Sequence, residues 1–179
     1  MRDFGFSAKA ISVNAAQIEV HAAFKEVVNR RDEKDPRTRR WLDAIAEFRK
    51  VYSRVYPKGL QLVDQGLLPP SEVDTSGILD FLEADPIFDR SGYMKEVLLG
   101  SLKKRNLDHH EAERLRAIVI HVVRQWDRRE FRRYCRAATS VDNLGFRSQL
   151  ESLALATDPD IRRRASWVLE ALVNANGQI

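Results

Sequence analysis

Reactive chemistry in this chain has to start from arginine and histidine, which occur 22 and four times. The run Arg105-Asn106-Leu107-Asp108-His109-His110 places a guanidinium ahead of two imidazoles, with a polar side chain at Asn106. Arginine is a fixed cation and histidine titrates near neutrality, so the run sets a charge-holding group ahead of two groups able to exchange protons. Asp108 with Glu111 makes a capping-box pattern, which puts the histidines at a helix start, where anions are favoured. Arg116 and His121 meet the same spacing from mid-helix, so spacing alone does not single out the first pair. His109 and His110 beside Glu111 and Glu113 invite a metal reading, but adjacent helical residues point about 100° apart and chelate one ion poorly. The chain has neither His-Glu-x-x-His nor Glu-x-x-His, and no glycine-rich phosphate loop. No metal and no cofactor are expected.

The Arg105-to-His110 spacing resembles the Arg-x4–6-His motif of the HEPN superfamily, all-α domains that include metal-independent ribonucleases. That resemblance implies a phosphate-stabilising Arg105, a proton-transferring His110 and a supporting Asn106. It covers about six residues and carries the alternative, enzymatic reading of the chain.

The stronger surface feature is arginine further on. Arg128, Arg129, Arg132, Arg133 and Arg136 are read as lying opposite an apolar stripe of Phe131, Cys135 and Ala138. Arg163, Arg164 and Trp167 are read as sharing a face outside the stripe of Ile161, Ala165 and Leu169. If those helices stack side by side, the arginines form a basic face with an aromatic in it, suited to phosphates or to an acidic protein. A non-enzymatic interaction module with an acidic protein or nucleic acid as partner is therefore the leading expectation. A structural protein, including a homo-oligomer, is the third.

Helices must position these residues. Few glycines and prolines and no sustained strand-like alternation make the chain all-α. Helical spacing predicts helices near 8–30, 37–56, 60–67, 76–84, 90–104, 109–125, 129–139, 145–156 and 160–174. The first is apolar on two sides, Ile11/Ala15/Ile18/Ala22 and Val20/Phe24/Val27, and is expected to be sandwiched. Asn14, Gln17, His21 and Lys25 share its remaining face. Trp41, Ile45, Phe48, Tyr52 and Val55 form the core stripe of the second, which folds back on the first as a hairpin (1–56). Residues 57–75, broken by Pro57, Gly59, Gly66 and Pro69-Pro70, are the expected linker. The charged break from Arg30 to Arg40 reads as a solvated turn because Asp32, Glu33 and Asp35 offset its arginines.

From Leu150 to Leu172 the chain reads as two helices joined at Asp158-Pro159, with Asp158 as N-cap, Pro159 at the first helical position and Gly177 at the end. A shift of thirty residues lays Ile120, Val123 and Trp126 on Leu150, Leu153 and Ala156, and Phe131-Arg132-Arg133 on Ile161-Arg162-Arg163, with Asp127 one place from Asp158. Leu79, Leu82, Asp85-Pro86 and Phe88 repeat the pattern upstream, with Asp85-Pro86 in the place of Asp158-Pro159. These helix pairs resemble HEAT-like α-solenoid repeats, which implies a short helical stack over 76–179, within one compact unit. An irregular helical bundle is the alternative.

Charge is uneven. Residues 1–89 carry 13 Lys/Arg and 15 Asp/Glu; residues 90–179 carry 17 and 11, so the basic character belongs to the second half. The single cysteine, Cys135, excludes an internal disulfide and reads as a small buried hydrophobe. The N-terminal residues lack the apolar run of a signal peptide, and no run approaches a membrane span, so a cytoplasmic protein without a membrane partner is expected.

Overall fold

The computed structural model describes residues 5–125 and 128–176; Trp126, Asp127 and Gly177, used in the repeat comparison and as a helix end, lie outside them. All described regular structure is helical: α1 (Phe6–Glu26), α2 (Pro36–Tyr52), α3 (Lys58–Asp64), a 3₁₀ turn (Pro70–Glu72), α4 (Thr75–Ala84), α5 (Ser91–Leu102), α6 (His109–Arg124), α7 (Phe131–Ala138), α8 (Leu144–Ala154) and α9 (Pro159–Asn176). No helix among the described residues is long and apolar enough to cross a membrane.

The starts of these helices follow from their caps. Asp35 accepts from the Arg37 amide and Asp158 from the Asp160 and Ile161 amides, with Pro36 and Pro159 at the first helical positions. Asp108 and Glu111 complete a reciprocal capping box on α6, at 2.8 and 3.0 Å. Asp108→Ala removes an acceptor from an exposed helix end and is expected to cost about 1 kcal/mol in urea unfolding. Asn143 caps α8 in the same way, accepting from the Phe146 amide.

Asp85-Pro86 behaves differently from the sequence expectation. Asp85 is not an N-cap: it closes α4 at φ 46°, in the left-handed region, and α5 begins only at Ser91. Its carboxylate is thereby freed to turn into the protein.

The helices from α4 onward form two rows. In one, α6 lies between α4 and α8; in the other, α7 lies between α5 and α9. Helices consecutive in the chain cross-link the rows, most extensively α8 with α9. The α1–α2 hairpin packs at the α4 end through α1. A single apolar core runs from Phe6 through Tyr56, Leu60 and Val73 to Leu172, so residues 57–75 contribute to it rather than merely linking two parts.

Three expectations about the hairpin are corrected. α2 ends at Tyr52, and Val55 and Tyr56 turn inward from the following turns, with Tyr56 between the rings of Phe81 and Phe88. The stripe Trp41/Ile45/Phe48/Tyr52 is only half-buried. Most importantly, α1 is not sandwiched. Ala10, Val13 and Ala23 face inward, and Asn14, from the polar face, donates to Ile87 O at 2.8 Å. The Ile11/Ala15/Ile18 stripe faces solvent, and both isoleucines are 69% exposed.

Buried tyrosines give this core an alkaline signature. Burial, reinforced by the Asp64 carboxylate, pushes Tyr52 up to about 12. Burial also holds Tyr56 and Tyr134 well above the ordinary phenol range. A raised phenol favours the folded state below its unfolded value near 10, and that contribution is lost as pH climbs toward the folded value. Absorbance at the tyrosinate band is expected to show Tyr52 ionising near pH 12, with Tyr56 and Tyr134 ionising only as the chain unfolds.

Candidate functional site

The row α5–α7–α9 presents the arginines identified from sequence. α7 turns Phe131, Tyr134, Cys135 and Ala138 inward, which leaves Arg132, Arg133 and Arg136 exposed on its other side. Arg129, just before the helix, stacks over the exposed ring of Tyr93 on α5 at 3.6 Å and donates to Glu96 at 3.0 Å. On α9, Arg163 sits 5.3 Å over the ring of Trp167, which is 38% exposed and tilts against Phe131.

Two grooves open on this row, bordered among these side chains by Arg132, Arg133, Arg136 and Trp167. The larger, about 620 Å³, runs between the 3₁₀ turn, the C-terminal half of α5 and α7; Lys103, Lys104, Arg105, Arg133 and Arg136 line it, with Glu96 as the acidic member. The smaller, about 370 Å³, lies between α7 and α9 and is lined by Phe131, Arg132, Cys135, Arg136, Trp167 and Ala171. Arg136 borders both, so the basic groove and the aromatic one adjoin at that side chain.

Two of the expected binding arginines are placed elsewhere. Arg164 is 3% exposed and donates from Nε to Val123 O at 2.8 Å, anchoring α9 on the C-terminal end of α6, where a cation is favoured by the helix dipole. Arg128 is largely buried and pairs with the Asp85 carboxylate. Neither shares the face of Arg163 and Trp167. What decides this is which neighbour each guanidinium meets, a tertiary fact.

The Arg105/Asn106/His110 set also has a structural assignment for its arginine. Arg105 donates to Thr75 Oγ1 at 2.7 Å, Pro70 O at 2.7 Å, Ser71 O at 3.1 Å and Ser101 Oγ at 3.4 Å. Its guanidinium clamps the 3₁₀ turn and the start of α4 to the end of α5. Asn106 and His110 are exposed on the loop and at the first turn of α6. Phosphodiester chemistry at this set requires Arg105 to release that clamp. Among the described residues, no group of three His, Cys, Asp or Glu side chains is placed to hold a metal ion.

Sequence reading missed a second constellation, behind the basic face. Lys95, 1% exposed, bonds Asp85 Oδ1 at 2.6 Å, and Glu130 Oε1 lies 3.9 Å from its ammonium. Arg128 shares the Asp85 carboxylate, and the Tyr134 hydroxyl is buried beside the group. Burial pulls Lys95 below the usual lysine range, while Asp85 pulls the other way. Gly92 allows Glu130 to approach the first turn of α5; an added Cβ would lie 3.1 Å from Oε2. The tight Asp85 pairing makes Lys95 a tie between the end of α4, α5 and the segment before α7, rather than a free nucleophile. The one signal available in sequence, Asp85 before Pro86, points to the wrong role.

No family model matches the chain, and neither a curated protein sequence nor a solved structure is significantly similar to it.

Proposed function

We propose that the chain is a non-enzymatic helical module that binds nucleic acid along the α5–α7–α9 row. The observation that carries this reading is that the basic groove and the aromatic one adjoin at Arg136. Cations in the first groove suit a phosphate backbone, and Trp167 in the second offers a ring on which a base can stack. The two-row order of α4–α9 supports reading this part as a short HEAT-like stack, with the face on one row. Arginine contacts of this kind supply affinity without base specificity.

The test is a titration with RNA and DNA oligonucleotides at two salt concentrations, with RNA integrity checked afterwards. Binding that weakens steeply with salt and leaves RNA intact is the expected result. Absence of binding to both nucleic acids overturns the nucleic-acid reading and turns attention to acidic peptides as occupants of the same groove. Cleavage that is lost in His110→Ala would instead establish the HEPN-like reading through Arg105, Asn106 and His110.

A further inference from the structure

α1 carries a seam that its own fold leaves uncovered. Ala8, Ile11, Ala15, Ile18, Ala22 and Lys25 recur at alternating spacings of three and four, the a/d pattern of a helix that packs along a partner helix. Ala8, Ile11, Ala15 and Ile18 are exposed, and Ala22 is half-buried at the seam's edge. Exposed apolar side chains scattered singly need no explanation, but a continuous seam on one helix does. α2 and α4 occupy the opposite side of α1, so nothing within the described chain packs on the seam.

We propose that the seam is covered by α1 of a second copy of this chain, in antiparallel alignment. The seam is self-complementary. Large and small residues alternate along the seam. With a two-fold axis between Ala15 and Ile18, Ile11 meets the partner's Ala22, and Ala15 meets the partner's Ile18. Every isoleucine then fills the space over an alanine, as close packing requires. Lys25, the charged member of the seam, falls over the partner's Ala8 at the end of the contact, where its stem covers the alanine and its ammonium reaches water. A parallel, in-register pair stacks isoleucine on isoleucine and leaves voids at the alanine layers. The flanks also agree. Glu19 comes beside the partner's Ser12, and His21 beside the partner's Asn14, so no like charges meet. Arg40 already neutralises Glu19 and Glu26 on their own chain, at 2.8 and 3.1 Å. Such a contact is isologous and closes at two copies. It lies on the hairpin and does not depend on the basic face.

Sedimentation equilibrium over micromolar to sub-millimolar protein tests it. A monomer–dimer equilibrium is expected. Ile18→Glu, at an exposed position that leaves helicity unchanged by circular dichroism, is expected to weaken it at least about tenfold. Leu155→Glu, an exposed leucine at the end of α8, is the control that leaves it unchanged. In a mixture of Ile11→Cys and Ala22→Cys chains, oxidation is expected to give the mixed disulfide. A chain that stays monomeric throughout, a dimer unaffected by Ile18→Glu, or crosslinking of Ile11→Cys to itself in place of the mixed bridge overturns the proposal.

Discussion

Asp85→Asn is expected to destabilise the protein by about 3–5 kcal/mol, the cost of breaking a buried ion pair from one side. Asn is the informative replacement because it tolerates the left-handed backbone that Asp85 adopts at φ 46°. The change therefore removes charge without adding backbone strain. It leaves the Lys95 ammonium without the carboxylate 2.6 Å away, in a site with almost no access to water. Glu130, 3.9 Å off, compensates only in part. For a chain of this length the loss corresponds to a fall in Tm of about 6–20 °C. Adding Lys95→Met removes the more deeply buried of the two cations that Asp85 holds, Arg128 being the other, so the double variant is expected to be more stable than the sum of the two single losses. A loss below about 1 kcal/mol for Asp85→Asn, measured by urea unfolding, would show that the pair does not tie α4 to α5 as described.

The second large effect is on the basic face. Arg133→Glu with Arg136→Glu is expected to cut nucleic-acid affinity at low salt by at least about tenfold. It should also flatten the dependence of log K on log salt by about 1.4–1.8, two phosphate contacts' worth. Arg136 is the sharper of the two because it borders both grooves. The control must change net charge equally. Arg31→Glu with Arg39→Glu, both exposed on the hairpin side, does so and is expected to leave the slope almost unchanged. Equal losses in both double variants would mean that affinity follows overall charge and not the grooves. Because none of the four side chains is buried, circular dichroism should be unchanged in both, which separates binding from folding.

Local chemistry wrote the helices legibly into the chain. Asp35-Pro36, Asp108 with Glu111, and Asp158-Pro159 start helices where their cap geometry demands, because a cap needs only residues within three positions of itself. The exposure of Arg132, Arg133, Arg136, Arg163 and Trp167 was readable for a similar reason: each lies on a helix whose opposite side is strongly apolar. Arg128 and Arg164 sit in the same sequence runs, yet one enters a buried ion pair and the other caps a distant helix end, and no spacing rule separates them from their neighbours.

Sequence by itself determined that the chain is helical, where most helices begin, and that positive charge gathers in its second half. Tertiary structure alone decided which apolar stripe of α1 faces the core. That helix is apolar on two sides, so its sequence does not say which of them turns inward, and α2 and α4 cover the side of Ala10, Val13 and Ala23 rather than that of Ile11 and Ile18. It also decided that Lys95 is buried. A lysine beside Met94, Leu98 and Leu99 can enter the core only if a counter-charge arrives from elsewhere, and Asp85 arrives through a left-handed turn at the end of α4. Periodicity reports what one helix can bury; what it does bury depends on the charges and surfaces that other helices bring to it.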